Sequence, residues 1–346
     1  MKRVLLVGGA GYVGAVLTQE LVERGYAVRV LDRLYFGQSS LEAVRDRIEL
    51  VLGDMRRVPD AALDNVSAVI NVGGLSNDPT AEYHPKANYA MNTQASIALA
   101  KRCRDLGIRR YIYASSCSIY DRGVSDEERD VVLDENAEVD PQASYSSSKF
   151  LAERELLPLA GGSFCVVSLR KGTVFGFSPR MRYDLVVNSF VKDAMSKGVM
   201  TIHYGGEMWR PLVDVRDAAR AYIALLQADP ALVNGQVFNL VQANYRISEL
   251  ALRVREALRE SGVQADIKTD YTYKGVRNYR VSGRKLERIL GFRPTITVEQ
   301  SVHTLVSEIR RCGFTDFDHP RYYNILWMRL LEENSQIIGA GGSVFE

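Results

Sequence analysis

The chain has 346 residues, 46% of them hydrophobic, and sets 44 basic against 42 acidic side chains. That length suffices for one α/β domain with a smaller attached lobe and a sizeable core. A formal charge of +2, spread along the chain, leaves neither a nucleic-acid footprint nor a membrane-binding stripe, and no run approaches the roughly 20 apolar residues that span a bilayer.

Cys103, Cys117, Cys165 and Cys312 lie too far apart for metal-ligand spacing or a disulfide framework, and His84, His203, His303 and His319 are equally scattered. The expectation is reduced thiols in a cytoplasm and no metal. Met1-Lys2-Arg3 before an apolar run begins like a secretory signal, but glycines from Gly8 onwards interrupt it and no small-residue cleavage site follows.

In chain order, residues 3–7 form a short apolar run, followed by Gly8-Gly9-Ala10-Gly11-Tyr12-Val13-Gly14 and a helix-like stretch over 15–23. This is strand, glycine-rich turn, helix. Gly8 permits the tight turn, Gly11 lets the backbone approach a pyrophosphate, and Gly14 allows close packing of helix on strand. The phosphates then rest on the positive helix N-terminus, beside Tyr12 and Val13. A second strand over 27–31 ends in Asp32, whose carboxylate can accept both ribose hydroxyls of an adenosine and repel a 2′-phosphate, favouring NAD over NADP. Arg33 is either a partner for a 2′-phosphate or a solvated loop charge. A third strand over 48–52 leads to Gly53-Asp54-Met55, where Asp54 either accepts a hydrogen bond from the adenine or simply shapes a turn, with Met55 beside it.

A fourth strand over 67–72 precedes Ser76-Asn77-Asp78-Pro79, in which Asn77 and Asp78 read sugar hydroxyls or form an ordinary turn. A fifth, over 110–115, ends in Ser115-Ser116-Cys117-Ser118, placing the Ser116 hydroxyl at the carboxyl end of a parallel strand, where the ligand crevice of an open sheet lies. Cys117 is either a proton donor, its thiol within reach of neutrality, or a small buried side chain. Then comes Tyr145-Ser146-Ser147-Ser148-Lys149. Positions i and i+4 share one helix face, so the ammonium is expected to bring the phenol pKa from about 10 towards neutrality, making Tyr145 a base for a sugar hydroxyl.

A sixth strand over 164–169 completes the alternation expected of a Rossmann-like, doubly wound parallel sheet. Beyond Arg170 the pattern loosens, with a loop over 176–182 and helices over 184–196, 246–260 and 284–290. The expected division is 1–172 plus about 212–241 as the nucleotide-binding domain, about 173–211 with 242–313 as a smaller substrate lobe, and 314–346 as a tail capable of forming a helix. Gly339-Ala340-Gly341-Gly342 is expected to end that tail in a flexible tip.

With these motifs in this order, the chain resembles the extended short-chain dehydrogenase/reductase family, in particular its nucleotide-sugar epimerases and dehydratases, typified by UDP-galactose 4-epimerase. The resemblance spans roughly residues 1–310. It rests on Gly8, Gly11, Gly14, Asp32, Asp54, Asn92 within Met91-Asn92-Thr93, Ser116, Tyr145 with Lys149, Arg170 with Phe175-Gly176, Arg210 with Val213-Asp214-Val215, and Leu290-Gly291-Phe292. It implies NAD as hydride carrier, with Asn92 in the cofactor-binding set, and a nucleotide-diphosphate sugar as partner. Tyr145 would be the general base, Lys149 would tune it and hold the nicotinamide ribose, and Ser116 would bond the reacting hydroxyl. The substrate set would comprise Asn77, Asp78, Thr173, Asn188, Arg210, Lys274 and Arg277, and a homodimer would form through 97–106 and the Tyr145 helix.

The departures narrow the reaction. Dehydratases of the family carry an Asp-Glu pair, and its decarboxylases a glutamate, where Cys117 and Ser118 stand here. Asn71-Val72-Gly73-Gly74, Asp121, Lys171 and Thr173 also differ from the family pattern. The expected activity is therefore an epimerase acting through a transient 4-keto sugar, with a 4-keto-sugar reductase, a dehydratase or a silent NAD-binding regulator as alternatives.

Overall fold

The computed structural model describes residues 3–121, 131–272 and 277–338; the proposed glycine tip at 339–342 and Lys274 lie outside them. Seven parallel strands form one sheet in the spatial order Gln236–Leu240, Cys165–Lys171, Arg110–Ser116, Val66–Asn71, Arg3–Val7, Ala27–Asp32 and Ile48–Leu52. The inner strands are buried on both faces, so apolar residues occupy them without strict period-two alternation, and polar exceptions such as Arg29 and Ser168 are buried and hydrogen-bonded.

Two cores sandwich the sheet. Val4 and Leu6 point to one face, where they join Val16, Leu17, Ala218 and Tyr222 from the helices Tyr12–Glu23 and Val215–Gln227. Leu5 and Val7 point to the other, against Leu99 and Ala152 from the helices Ser96–Asp105 and Ser144–Leu156. The chain starts at Arg3–Val7, winds outward through Ala27–Asp32 and Ile48–Leu52, then crosses back to Val66–Asn71 on the opposite side. Strand order thus reverses between Arg3–Val7 and Val66–Asn71, leaving a crevice at their carboxyl ends.

The strand at 110 extends to Ser116 and the strand at 165 to Lys171, because Ser116 and Lys171 still pair across the ladder. A separate three-stranded sheet joins Ala243–Arg246, Trp209–Asp214 and Thr173–Phe175. Its neighbourhood holds a third core, in which Val187, Val191, Val254 and Leu305 bring together the helices Val186–Lys197, Ile247–Glu260 and Val298–Cys312. Asn324–Ile338 is a helix whose Met328 returns to the core beneath the large sheet.

Candidate active site

A cavity of about 980 Å³ opens at the sheet reversal and runs from Gly8, Gly11 and Asp32 at one end to Ser116, Tyr145, Lys149 and Arg210 at the other. Its near wall is the glycine turn. Gly8 has φ +81°, and a Cβ there would meet the Gly73 Cα at 2.7 Å; a Cβ on Gly14 would lie 2.0 Å from the Gly8 carbonyl oxygen. Only glycine allows this turn to lie so tightly against the neighbouring strand end, leaving the N-terminus of the helix Tyr12–Glu23 bare at the cavity.

Asp32 anchors the turn, accepting hydrogen bonds from the Ala10 amide at 3.0 Å and the Leu34 amide at 2.8 Å. Burial pushes its carboxyl above the usual range, opposed by those amides and by Arg180. Asp54 lines the same end, where it accepts from Arg56 at 2.7 Å and from Arg33 at 3.0 Å. Arg33 is therefore not a loop charge free in solvent: it is paired to Asp54, and its guanidinium sits 4.5 Å over the Tyr35 ring. Val13 and Met55 complete this wall.

Tyr12 lines the cavity too, but its hydroxyl turns inward, donating to the Gly176 carbonyl at 2.6 Å and accepting from the Asn188 amide at 3.1 Å. That arrangement corrects the expectation for Asn188. Fully buried, it also bonds the Gly176 amide and the Arg182 carbonyl, so it braces the loop behind the site rather than facing a substrate. Asn92 is corrected likewise. Its amide bonds Leu75 O, Asn88 Oδ1 and Ser148 Oγ, which ties the strand-four loop to the Tyr145 helix from behind, while the cavity lining at that point is Met91.

At the far end, the helix Ser144–Leu156 presents Tyr145 and Lys149 to the cavity. Glu82 caps it by accepting from the Ser144 amide at 2.9 Å. Deeper in, Glu153 pairs with Arg170, which also donates to the Tyr120 hydroxyl at 2.7 Å. Such a buried, mutually satisfied network fixes the helix relative to the strand Cys165–Lys171. Ser116 stands at its strand end and lines the cavity together with Tyr145, its Oγ accepting from the Ser118 amide at 3.1 Å.

The electrostatics of the pair differ from the sequence expectation. The Tyr145 phenol is pushed up to about 12, first by burial and then by the Asp78 carboxylate, against the pull of Arg277, Ser116 and Arg182. Lys149 is pushed down to about 7, by burial and then by the neighbouring Lys171 ammonium. Its Nζ lies 5.9 Å from the Tyr145 ring centroid and 5.1 Å from that of Tyr113. Enclosure penalises both charged forms more than the four-residue spacing helps them. Cys117 is no proton donor. Wholly buried and bonded through Sγ to the Arg170 carbonyl at 3.2 Å, its thiol is driven far above the ordinary cysteine range by desolvation.

Above Tyr145 stands a charged cage. Asp78 pairs with Arg277, which also reaches Asp121 at 3.7 Å, and Arg210 donates to the Arg277 carbonyl. Asn77 caps the Asp78–Tyr83 helix and donates to Asp184 at 3.2 Å; Asp184 in turn holds Arg182 at 2.8 Å. Asn77, Asp78, Thr173, Arg210 and Arg277 all line the cavity. Sequence reasoning missed Arg180, Arg182, Asp184 and Lys171 as lining residues, and also Asn324, Ile325, Leu326 and Met328 from the C-terminal helix. Trp327 of that helix donates to the Tyr35 carbonyl at 2.5 Å, and outside the cavity Tyr83 donates to Glu332 at 2.8 Å, so the helix is tied to the body of the protein at two points. No local motif marks these positions. Among the described residues no group of three or more His, Cys, Asp or Glu side chains is arranged to hold a metal ion.

A family model described as "NAD dependent epimerase/dehydratase family" matches residues 4–240, which contain the glycine turn, Ser116 and the Tyr145 helix. The chain belongs to that family. It is an NAD-dependent enzyme of the epimerase/dehydratase type. It is 25% identical over 331 residues to a UDP-N-acetyl-alpha-D-glucosaminuronate decarboxylase of Bacillus cytotoxicus, covering 89% of this chain and 98% of that one. A putative UDP-glucose 4-epimerase of Methanocaldococcus jannaschii is 27% identical over 241 residues, covering 67% of this chain and 75% of the relative. In three dimensions the fold matches the UDP-glucose 4-epimerase of Thermotoga maritima, solved with UDP-glucose, at TM-score 0.78 and 21% identity over 90% of this chain and 99% of that one.

The glycine cradle, which a Cβ would fill, and the Asp32 carboxylate at its edge fit an adenine dinucleotide carrying ribose hydroxyls. Asp32→Ala is accordingly expected to weaken NAD more than NADP, since it removes a ribose acceptor and at the same time a repulsion of the 2′-phosphate. Isothermal titration with both dinucleotides checks this, and equal losses would show that Asp32 does not discriminate.

Proposed function

We propose that the protein is a nucleotide-diphosphate-sugar 4-epimerase working through a transient 4-keto sugar. The observation that carries this reading is that Ser116 and Tyr145 share one end of a wide NAD-family cavity, while the two positions after Ser116 hold a buried thiol and a buried serine instead of carboxylates. Inverting C4 needs one group to take the proton from the C4 hydroxyl and return it, and room for the ring to turn.

In this reading Tyr145 moves that proton and Ser116 fixes the hydroxyl beside it. Lys149 and Asp32 would hold the ribose hydroxyls of NAD, and the glycine turn its diphosphate. NAD, when bound, accepts a hydride from the sugar and gives it back. Arg210 and Arg277 are suited to the substrate diphosphate, because planar guanidinium forks match phosphate oxygens. Arg277 would then exchange Asp78 for phosphate, freeing the carboxylate to meet a sugar hydroxyl together with Asn77. Solved neighbours in complex with UDP-glucose or UDP-glucuronic acid support a substrate of this chemical class.

A second reading, loss of water or carbon dioxide from the 4-keto sugar, is favoured by Asp78. Its charge reaches Tyr145, and burial raises its carboxyl above the usual range, as suits a second acid or base. The decarboxylase relatives aligned over about nine-tenths of this chain point the same way. We also assign the enzyme a cytoplasmic setting and a homodimer through the adjacent helices Ser96–Asp105 and Ser144–Leu156, beside which Leu106 is left exposed. Among the described residues no helix is long and apolar enough to cross a membrane.

The deciding experiment incubates the protein and trace NAD with UDP-, dTDP-, GDP- and CDP-hexoses, hexuronic acids and 4-keto sugars, with products read by mass spectrometry and proton NMR. The expected result is an isobaric product without net NADH. Loss of water or of carbon dioxide would replace the epimerase by the second reading, and stoichiometric oxidation of NADH, when it is added in excess to the 4-keto sugars, would make the protein a reductase.

A further inference from the structure

Arg180 lines the cavity, yet no part of the proposed chemistry uses it. It is 6% exposed, and Nε and Nη1 have no hydrogen-bond partner among the described residues; Nη2 alone is engaged, donating to Asn324 Oδ1 at 2.5 Å. A buried guanidinium with two bare donor groups is costly unless a ligand satisfies it.

Its position says which ligand. The loop that carries it is pinned to the start of the glycine-turn helix, for Ser178 Oγ donates to the Tyr12 carbonyl at 2.7 Å and accepts from the Arg180 amide at 3.3 Å. The guanidinium lies 3.5 Å over the Phe36 ring, in the segment after Asp32, and is close enough to Asp32 to act on its carboxyl. Arg180 therefore reaches the cavity between the bare helix N-terminus and the ribose-reading carboxylate.

We propose that Arg180 clamps the diphosphate of the dinucleotide from the side opposite the glycine turn, its free Nε and Nη1 donating to phosphate oxygen, with Asn324 of the C-terminal helix and the Phe36 ring holding the guanidinium in place. The geometry suits a fork on phosphate, while stacking on an aromatic ring fixes the plane of the fork. The assignment rests on the dinucleotide reading of the glycine-lined end. Wild-type binding of NAD tests that reading separately, so failure of one is distinguishable from failure of the other.

The test is calorimetric titration of the full-length protein, freed of nucleotide, with NAD, NADP, ADP, adenosine and UDP, alongside Arg180→Met, which keeps the bulk over Phe36, and Arg180→Lys, which keeps the charge. Losing two charge-assisted donors is expected to weaken NAD and ADP by about ten- to a hundredfold in Arg180→Met and by less in Arg180→Lys, with adenosine and UDP unchanged. Nucleotide-free Arg180→Met is also expected to melt no lower than wild type, since an uncompensated buried charge has been removed. A loss confined to NADP would move the contact to a 2′-phosphate, and one confined to UDP would move it to the substrate. Either would overturn the proposal, as would unchanged NAD and ADP affinity or an equal loss for adenosine.

Discussion

Tyr145→Phe is expected to lower turnover by about 10²- to 10⁴-fold, the ordinary worth of a positioned proton-transfer group, while NAD and substrate still bind. The side chain loses one oxygen from a cavity end whose shape is set by its neighbours, and the helix keeps its anchor through Glu153 and Arg170. The orientation that holds the sugar carbon against the cofactor is retained, so the loss belongs to kcat rather than KM. Because the phenol sits at about 12 before ligands arrive, with burial as the main cause, its difference from phenylalanine is invisible to phenolate absorbance in the nucleotide-free protein at neutral pH. Unchanged turnover in this variant would remove Tyr145 from the reaction.

Lys149→Met is expected to move activity and stability in opposite directions. In the proposed reaction the ammonium is needed where the phenol and the ribose meet, so activity is expected to collapse. Yet the buried lysine is a burden on the nucleotide-free fold, its pKa pushed from 10.5 to about 7. Since the folded pKa is depressed, the unfolded chain holds the extra proton between those two values, and stability rises with pH across that window. Below pH 7 the whole penalty is present. A tenfold loss of proton affinity costs about 1.4 kcal/mol, so the penalty amounts to a few kcal/mol. Methionine removes it. Thermal melts should show the variant gaining more at pH 6 than at pH 9; equal gains at both would mean that Lys149 is not desolvated in the fold. This is the trade between stability and function that buried catalytic charges impose.

The nucleotide-binding end was readable in advance because its signals are local. A glycine at positive φ, a carboxylate at the next strand end and a hydroxyl at another are each set by residues a few positions away, and the sheet carries them to one crevice. Asn188 and Asn92 escaped correct reading for the opposite reason, while Cys117 took the second of its two readings, the small buried side chain. Which way a polar side chain turns depends on carbonyls brought in by packing, such as Gly176 O and Arg182 O for Asn188. The displaced pKa values of Tyr145 and Lys149 have the same origin, since their desolvation comes from walls contributed by 76–78, 180–184 and the strand end at Lys171. Arg180 meets Asn324 only in three dimensions, with a sequence separation of 144.

The C-terminal helix leaves one consequence for how the cofactor comes and goes. Its Trp327 is bonded to the Tyr35 carbonyl and stacked on Phe36, and its Asn324 bonds Ser76 as well as Arg180. A dinucleotide held between Arg180 and the glycine turn, as proposed, would lie close to these contacts. Local opening of the helix end would then set part of its residence time. In the proposed reaction the hydride is handed back within one turnover, which needs no faster exchange and would let one cofactor molecule serve many successive substrates.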